Sequence, residues 1–434
     1  MSDWLLVILD DVVAGTLTRL ASGRLRFDYD AAYQEQRGRT PLSLSMPIQV
    51  SSHPQQEIDP WLWGLLPDND AVVRRWARDF QVSPSSAFSL LSTPIGEDCA
   101  GAVRFAPPGE LERVLGRGGE VTWLDEDEVA QRLRELREDS TAWLGRSFTG
   151  QFSLAGAQAK TALLLDDDRW GVPSGPIPTT HILKPAVTGF DDHDLNEHLC
   201  LEAARHARLV AARSTIARFA DETAVVVTRY DRVEDGEGAI VRVHQEDLCQ
   251  ALGMPPSQKY QNEVGPTPAQ IARLLRDAMP PRIGEDAVWR FADALIWNWL
   301  IAGTDAHAKN YSLLLAGDQV RLAPLYDIAS ALPYGTHERK LKLAMKIGSS
   351  YEVYPQRNRW PDAARDLGLD AEAVVDRARE LAVITPEAFA AAVGAPEVTS
   401  LNRDLPARLL DLVADRARRC LKILTPTSAS GRSR

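Results

Sequence analysis

The chain has 434 residues, 44% of them hydrophobic and 25% charged, which is the ordinary composition of a globular protein with two or three domains. Its formal net charge of −11 excludes broad electrostatic binding to a nucleic-acid backbone, so any contact with DNA would be local or made through a partner. No stretch approaches the roughly 18 uninterrupted apolar residues of a membrane helix, and we expect no membrane span.

Two further features of the sequence indicate a cytoplasmic protein. The cysteines Cys99, Cys200, Cys249 and Cys420 lie far apart without a CxxC pair, as expected of free buried thiols in a reducing compartment. The N-terminal stretch MSDWLLVILDD has no basic residue before its apolar run, which is not the pattern of a secretory signal. We therefore expect a cytoplasmic location.

The first part of the chain predicts strands followed by helices. Two stretches predict strands linked by Gly and Asp turns, WLLVILDDVVAGTLTRL and GRLRFDYDAAY. The stretch DPWLWGLLPDNDAVVRRWARDF has apolar residues at helical spacing, with an interruption at Pro67 and a new helix from Asp70.

The end of this first part is marked by a change in composition. Residues 106–121, rich in Gly, Pro and charge, predict a surface excursion. The following stretch, EDEVAQRLRELRED, predicts a helix with alternating charges. We place the main boundary just after this helix, so that residues 1–145 form an N-terminal subdomain.

From residue 146 the pattern is strands, one helix, further strands and then mostly helices. Four stretches predict the strands: FSLAGAQAKTALLLDDDRW, PTTHILKP, TAVVVTRYDRV and GAIVRVHQ. The stretch DLNEHLCLEAARHARL predicts the helix among them. Four residues share one side of that helix: Leu195, Leu199, Ala203 and His206. We expect a strand-rich lobe over about residues 146–260, a helical lobe over about 261–425, a cleft between them, and a disordered tail over 426–434.

Several polar residues fall in a short connection between two apolar runs, in the stretch IAGTDAHAKNYSLLL. Asp305 and Asn310 stand in the relation Asp-x-x-x-x-Asn, the spacing of a phosphotransferase catalytic loop. In such a loop the Asp orients the substrate hydroxyl and the Asn supplies an oxygen to magnesium. The spacing is common by chance, and the alternative makes Thr304 or Asp305 an N-cap and His307 and Asn310 solvated turn residues.

The next segment, LLLAGDQVRLAPLYDIAS, strengthens the phosphotransferase interpretation. Two short strands around Gly317 and Asp318 lead to Asp327, where kinase-like sites need a second acid to hold metal ions. The alternative makes Asp327 a cap for the segment after it. Magnesium prefers oxygen ligands such as those of Asp and Asn. We do not expect His307 to bind a metal, because no second His or Cys stands at ligand spacing, and we give it a packing or hydrogen-bonding role.

A phosphotransferase also needs a cation on the phosphates. Lys184 ends the strand THILKP, where its side chain would project into the cleft, and the alternative makes it an ordinary surface residue. A helix glutamate commonly holds such a lysine. Glu197 and Glu202 are the two candidates, and we favour Glu197.

Two further segments suit a nucleotide. The loop SLAGAQAKT, residues 153–161, could cradle phosphates through backbone N–H groups, although it matches neither a Walker A loop nor GxGxxG. After the strand AVVVTRYDR, backbone groups of Thr228 and Arg229 would pair with adenine. Tyr230 would pack against the base, or else belong to the core, and Asp231 would reach the ribose.

These stretches, taken in chain order, resemble the HipA family, the serine/threonine kinase toxins of HipB–HipA toxin–antitoxin modules. Seven stretches carry the resemblance: SLAGAQAKTALLL, HILKP, NEHLCLEAAR, VVVTRYDR, QEDLCQALG, NWLIAGTDAHAKNYSLLL and APLYDIAS. Three more are similar to the N-terminal region of the family: LSLSMP, LLPDN and DCAGAVRF. The resemblance runs from about residue 5 to about residue 420.

The resemblance implies an α+β, two-lobed protein-kinase-like fold with a strand-rich N-terminal subdomain and a largely helical C-terminal lobe. It implies ATP and Mg²⁺ as cofactors, with Asp305 as the catalytic aspartate. Asn310, also part of the catalytic loop, and Asp327 would be the metal ligands, and Lys184 would contact the ATP phosphates. The implied phosphate loop consists of Ser153, Leu154, Ala155, Gly156, Ala157, Gln158, Ala159 and Lys160.

The family also implies a biological role. Its known targets are aminoacyl-tRNA synthetases, notably glutamate–tRNA ligase, whose phosphorylation stalls translation and leads to growth arrest and persistence. Ser153 matches the serine that family members autophosphorylate, which ejects the loop and inactivates the kinase. The implied partner is a HipB-like helix-turn-helix antitoxin dimer, and operator DNA would be contacted mainly through it.

The chain departs from the family pattern at two points. The segment after the strand reads TRYDR where ERFDR is expected, which affects the adenine contacts, and Ala159 stands where a glutamate is expected. One alternative function is a small-molecule kinase of the aminoglycoside or choline type, but these usually carry a His where Thr304 stands. Another is a pseudokinase corepressor acting with a helix-turn-helix partner. Against it argues the retention of all four expected residues, Lys184, Asp305, Asn310 and Asp327.

Overall fold

The structure is a computed structural model that describes residues 3–116, 118–145, 150–186 and 189–425. The predicted disordered tail, residues 426–434, lies outside the described residues. The chain divides into two compact units. The first comprises Met1–Asp194, Ala212–Pro266 and Ala308–Pro324, and the second comprises Leu195–Ala211, Thr267–His307 and Leu325–Arg434. The domain limits that the sequence suggests near residues 145 and 260 stay predictions.

Most strands belong to the first unit. They are β1 Trp4–Leu9, β2 Val12–Arg19, β3 Leu25–Tyr29, β4 Ser52–Pro54, β5 Arg104–Ala106, β6 Val121–Leu124, β7 Thr161–Asp166, β8 Arg169–Pro173, β9 His181–Pro185, β10 Ser214–Phe219, β11 Glu222–Thr228, β12 Arg232–Glu234, β13 Ile240–Arg242, β14 His244–Asp247, β15 Ser312–Ala316 and β16 Gln319–Leu322. A further hairpin, β17 Lys342–Ile347 and β18 Ser350–Glu352, lies in the second unit.

The strands pair into antiparallel sheets. The N-terminal sheet has the order β4-β3-β2-β1-β5, and a six-stranded sheet has the order β10-β11-β9-β7-β8-β6. The first unit also contains the hairpin β12-β13 and the three-stranded sheet β14-β15-β16. The predicted hairpin around Gly317 and Asp318 is therefore confirmed as β15 and β16, in which Ala316 pairs with Gln319.

The helices alternate with these strands early in the chain and dominate its later part. They are α1 Ala31–Glu35, α2 Gln55–Leu65, α3 Asp70–Asp79, α4 Ala87–Leu91, α5 Leu111–Leu115, α6 Glu126–Glu138, α7 His193–His206, α8 Leu248–Ala251, α9 Pro268–Ala278, α10 Pro281–Ile301, α11 Trp360–Leu367, α12 Ala371–Val393, α13 Pro396–Thr399 and α14 Leu405–Leu424. None of the described helices is long and apolar enough to cross a membrane.

Local sequence signals explain several of these boundaries. The interruption at Pro67 and the new helix at Asp70 are confirmed, because the side chain of Asn69 accepts a hydrogen bond of 2.9 Å from the Ala71 N–H and caps α3. The predicted charged helix is confirmed as α6, which begins with a capping box between Asp125 and Glu128.

Two local predictions were wrong. Residues 106–121 are not simply a surface excursion, since they contain α5, whose Val114 is buried in a small core with Ile8. His206 does not lie on the buried side of α7 but is exposed. The buried residues follow a four-residue spacing through Leu195, Leu199, Ala203 and Ala207, and that spacing leaves His206 outside.

Candidate active site

The predicted phosphate loop packs closely within the first unit. Ser153 has no exposed surface, and its hydroxyl donates a hydrogen bond of 2.7 Å to the carbonyl oxygen of Leu65, the last residue of α2. Its backbone N–H donates to the carbonyl oxygen of Asp98 (3.0 Å), and its own carbonyl accepts from the Ala100 N–H (3.1 Å). Leu154 joins the core that also contains Leu65. The start of the loop is therefore anchored to the N-terminal part of the chain.

A lysine inside the loop shapes its middle. The ammonium of Lys160 donates a hydrogen bond of 2.7 Å to the carbonyl oxygen of Ala155, and it lies 4.9 Å from the ring centre of Trp143. Gly156 has a φ of +104°, and a Cβ at this position would lie 2.5 Å from the Lys160 nitrogen. Only glycine suits both the backbone conformation and this close approach. The carbonyl of Gly156 in turn accepts a hydrogen bond of 3.0 Å from the Asp68 N–H.

Lys184 lies near the end of β9, as the sequence predicted. Its strand partner in β11 is Val225, and the preceding residue, Leu183, is fully buried in the core below the sheet. Because side chains alternate along a strand, Lys184 projects from the face opposite to Leu183. Its side chain is only 6% exposed, so Lys184 is not an ordinary surface lysine.

The backbone N–H groups at the end of β11 and directly after it already have hydrogen-bond partners inside the first unit. The Thr228 N–H donates to the carbonyl oxygen of Arg213 (3.0 Å), and the Arg229 N–H donates to that of Thr180 (2.9 Å). Tyr230 is half-buried, and its hydroxyl donates to the side-chain oxygen of Gln245. These two N–H groups are therefore already engaged, and a contact with adenine would fall to other backbone groups of the segment.

The ribose contact expected of Asp231 does not fit the structure. Asp231 is 2% exposed, and its carboxylate accepts hydrogen bonds from the Arg229 guanidinium (2.8 and 3.0 Å), the Gly101 N–H (2.7 Å) and the Gln245 amide (3.1 Å). Burial alone would raise the pKa of this carboxyl, but the charges of Arg229 and Arg232 hold it well below its usual range. Asp231 belongs to a buried ionic network, and we do not assign it to the nucleotide.

Asn310 ends a 3-10 turn, Ala308–Asn310, in the first unit, and Lys309 precedes it. Asn310 is 7% exposed and Lys309 is 5% exposed. The ammonium of Lys309 donates a hydrogen bond of 2.7 Å to Asp68, for which the sequence predicted no role. Nothing local in the stretch LLPDN predicts a contact with a residue 241 positions further along the chain.

The second unit contains Asp305, just after the end of α10. Ala302 caps α10 in the left-handed conformation (φ +54°), and the Asp305 carbonyl accepts a hydrogen bond of 2.8 Å from the His307 N–H. No α-helix begins at Thr304 or Asp305 within this described stretch, so the N-cap alternative is wrong. Asp305 is exposed to solvent, whereas His307 is 5% exposed, in line with a packing role.

Asp327 and Glu197 also belong to the second unit. Asp327 is half-buried and has a φ of +56°, a left-handed conformation that asparagine and aspartate tolerate better than most residues and that often marks functional sites. No described helix begins directly after it, so the helix-cap alternative is not supported. Of the two glutamates on α7, Glu197 is 1% exposed, whereas Glu202 pairs with Arg205 at 3.3 Å. Burial thus favours Glu197 as the candidate.

The donor groups suit magnesium better than a softer metal. Asn310 offers an amide oxygen and Asp327 a carboxylate oxygen, which are ligands that Mg²⁺ prefers. Among residues 3–116, 118–145, 150–186 and 189–425, no group of three or more His, Cys, Asp or Glu side chains is placed to hold a metal ion. These two groups therefore stay candidates for magnesium on the chemistry of their oxygens alone.

Family models match two parts of the chain. The model of the HipA N-terminal domain matches residues 5–106, and the model of the HipA-like C-terminal domain matches residues 152–389. The second match covers all the candidate site residues, from Ser153 to Asp327.

Similar proteins are found in two bacteria. A putative kinase, Y4mE, of Sinorhizobium fredii is 33% identical over 88% of this chain and 90% of its own length. The serine/threonine-protein kinase toxin HipA of Shewanella oneidensis is 29% identical over 71% of both chains. A chain of the solved complex of Shewanella oneidensis HipA, HipB and operator DNA superposes with a TM-score of 0.82 at 24% identity, covering 97% of this chain and 98% of that one. This likeness confirms the predicted α+β, HipA-like fold.

Proposed function

The chain belongs to the HipA family, and from this premise we propose that it is a serine/threonine protein kinase that transfers the γ-phosphoryl group of ATP to a protein hydroxyl. The observation that carries the proposal is the match of residues 152–389 to the HipA-like C-terminal domain, because this stretch includes all the candidate residues from Ser153 to Asp327. Two relatives named as kinases, at 33% and 29% identity, support it.

Each candidate residue has a chemical task in this proposal. Asp305 accepts or orients the proton of the substrate hydroxyl, for which a solvent-exposed carboxylate is suited. Lys184 neutralises charge on the ATP phosphates and Glu197 holds that lysine. Backbone N–H groups of the loop after Ser153, whose own N–H is bound to Asp98, cradle the phosphates. Asn310 and Asp327 hold Mg²⁺, which when bound neutralises charge on the phosphate oxygens.

We further propose a toxin role with a partner. The Shewanella protein is named a kinase toxin, and its solved complex contains HipB and operator DNA. By this likeness the chain would act in the cytoplasm with a HipB-like helix-turn-helix antitoxin dimer and contact operator DNA mainly through it. Its substrate would be an aminoacyl-tRNA synthetase such as glutamate–tRNA ligase, whose phosphorylation would stall translation and promote persistence.

The proposal is tested with the purified full-length chain, magnesium and radiolabelled ATP. We expect label to appear on a protein when a bacterial extract is supplied, and not on any compound of a panel of aminoglycosides, choline and related metabolites. Asp305→Asn should keep the fold and nucleotide binding but lose transfer by orders of magnitude, since the side chain keeps its size while the carboxylate is gone. Near-normal transfer by this variant, or transfer only to a metabolite, would overturn the assignment.

A further inference from the structure

Asp68 connects the phosphate loop to the turn that carries Asn310. Its backbone N–H donates a hydrogen bond of 3.0 Å to the carbonyl of Gly156, in the loop. Its carboxylate accepts one hydrogen bond of 2.7 Å from Lys309 and another of 2.7 Å from Lys259, each on a different oxygen. All of these residues lie in the first unit.

The contacts of Asp68 converge on the 3-10 turn Ala308–Asn310. Lys309 belongs to this turn, and the carbonyl of Lys259 accepts a hydrogen bond of 3.1 Å from the Ala308 N–H. Lys259 therefore holds the turn by its backbone while its side chain binds Asp68. Of the three residues of the turn, Lys309 therefore binds Asp68 directly and Ala308 is linked to it through Lys259. The third residue is Asn310.

The charges in this cluster are balanced and shielded from water. The side chains of Lys309 and Asp68 are 2% and 9% exposed, and a second carboxylate, Asp247, lies 3.9 Å from the Lys309 ammonium. Burial would raise the pKa of Asp68, but the charges of Lys309 and Lys259 lower it to about 2. The other oxygen of Asp247 caps α8 by accepting from the Cys249 and Gln250 N–H groups, so Asp68 is the carboxylate that binds Lys309 at hydrogen-bond distance.

We propose that Asp68 is a positioning residue of the kinase reaction, holding Lys309 and thereby the neighbouring Asn310 in the orientation that binds magnesium–ATP. This inference rests on the proposed function, since it concerns the same site. It assigns to the N-terminal part of the chain a direct part in organising the catalytic loop. A shift of about 1 Å in a positioned group can reduce a reaction rate by roughly a hundredfold, so contacts of this kind matter for turnover.

The test compares Asp68→Asn with Asp70→Asn. Asp70 lies on the same segment, but its side chain is 89% exposed and is 3.8 Å from its nearest partner, Arg74. In Asp68→Asn the carboxamide keeps one acceptor oxygen and turns an NH₂ group towards one of the two lysines. Lys309→Met removes the Asp68–Lys309 ion pair by replacing the lysine, and it provides a second variant in case Asp68→Asn folds poorly.

For each variant we measure the affinity for ATP with magnesium and the affinity for ATP without magnesium. The melting temperature and the rate of phosphoryl transfer are measured as well. We expect Asp68→Asn and Lys309→Met each to weaken magnesium–ATP binding about tenfold and metal-free ATP binding much less, while Asp70→Asn matches the wild type. The effects of the two changes should be less than additive in the double variant, because both changes disrupt the Asp68–Lys309 interaction.

The outcomes separate this inference from the proposed function. If the wild type neither binds magnesium–ATP nor transfers phosphate, the proposed function fails and the inference fails with it. If the wild type is active, the inference alone is overturned by any of three results. These are wild-type behaviour in Asp68→Asn, an equal loss of both affinities that follows the melting temperature, and additive effects in the double variant.

Discussion

The hydroxyl of Ser153 donates a hydrogen bond of 2.7 Å to the carbonyl oxygen of Leu65, and Ser153 has no exposed surface. In this position the hydroxyl cannot receive a phosphoryl group, because a residue without exposed surface cannot be reached by a phosphoryl donor. A phosphate would add about −1.5 to −2 charges at pH 7 beside an apolar core, which the surroundings could not solvate. Modification of Ser153 therefore requires the loop to leave its place.

The first prediction concerns this loop. Incubation of the wild type with magnesium–ATP should yield one phosphate on Ser153, and Asp305→Asn should yield none. The phosphorylated form should bind ATP poorly and be cut faster by proteases within residues 153–160, since the charged loop cannot return to its buried position. Peptide mass mapping and limited proteolysis measure both effects, with Ser153→Ala as the control. A phosphorylated form that binds ATP normally would contradict the switch.

The second prediction concerns the metal. Asp327→Ala should weaken the binding of magnesium–ATP much more than that of metal-free ATP, because a carboxylate that acts through the ion contributes only when the ion is present. Isothermal titration with and without magnesium gives the two affinities. The matched control is Asp318→Ala, because Asp318 is an exposed aspartate in the turn between β15 and β16. This variant should change neither of the two affinities. Equal losses in both titrations would exclude a metal-ligand role for Asp327.

The third prediction concerns stability. Asp98 has no exposed surface, and its carboxylate pairs with Arg229 (3.2 Å), Arg232 (2.8 Å) and Arg242 (3.2 Å). These charges lower its pKa to about 2 although burial would raise it. Asp98→Asn removes one of the two carboxylates, Asp98 and Asp231, that balance these three buried arginines, and the expected loss is about 3–5 kcal/mol. Asp221→Asn, at an exposed pair with Arg134, should cost much less in the same denaturant titration, because solvent screens the pair. Similar losses for both variants would show that the buried network contributes little.

The fourth prediction concerns pH. Glu246 is buried, accepts hydrogen bonds from the Ser43 hydroxyl (2.5 Å) and the Leu44 N–H (2.9 Å), and burial raises its pKa from 4.5 to about 8. Between these values the folded chain holds a proton that the unfolded chain has released, so the contribution of Glu246 to stability is full below about pH 4.5 and is lost as the pH rises towards 8.

The variant Glu246→Gln cannot titrate and should lack this part of the pH dependence. Melting temperatures of both proteins from pH 5 to pH 9 test the prediction. We expect the wild type to lose stability relative to the variant as the pH rises, and curves that stay parallel across the range would refute it.

Much of the candidate site followed from local sequence. Three features are found where periodicity, turns and spacing indicated. They are the strand with Lys184 near its end, the hairpin before Asp327, and the connection with Asp305 that follows a long apolar helix. These features depend on neighbours a few residues away along the chain, and such short-range preferences can be read from a sequence. The motif order also identified the family, since several specific stretches in one order are not a chance occurrence.

Other features were decided only by the tertiary structure. Asp231 looked available to a ribose, but folding brings Arg229 and Gly101 onto its carboxylate. Asp68 showed no local signal, yet it lies 2.7 Å from Lys309, which is 241 residues further along the chain. A buried charge is stable only beside a partner, and that partner is supplied by whichever distant segment packs there. Sequence spacing therefore proposed the candidate groups of this protein, while long-range packing decided which of those groups are already bound to one another.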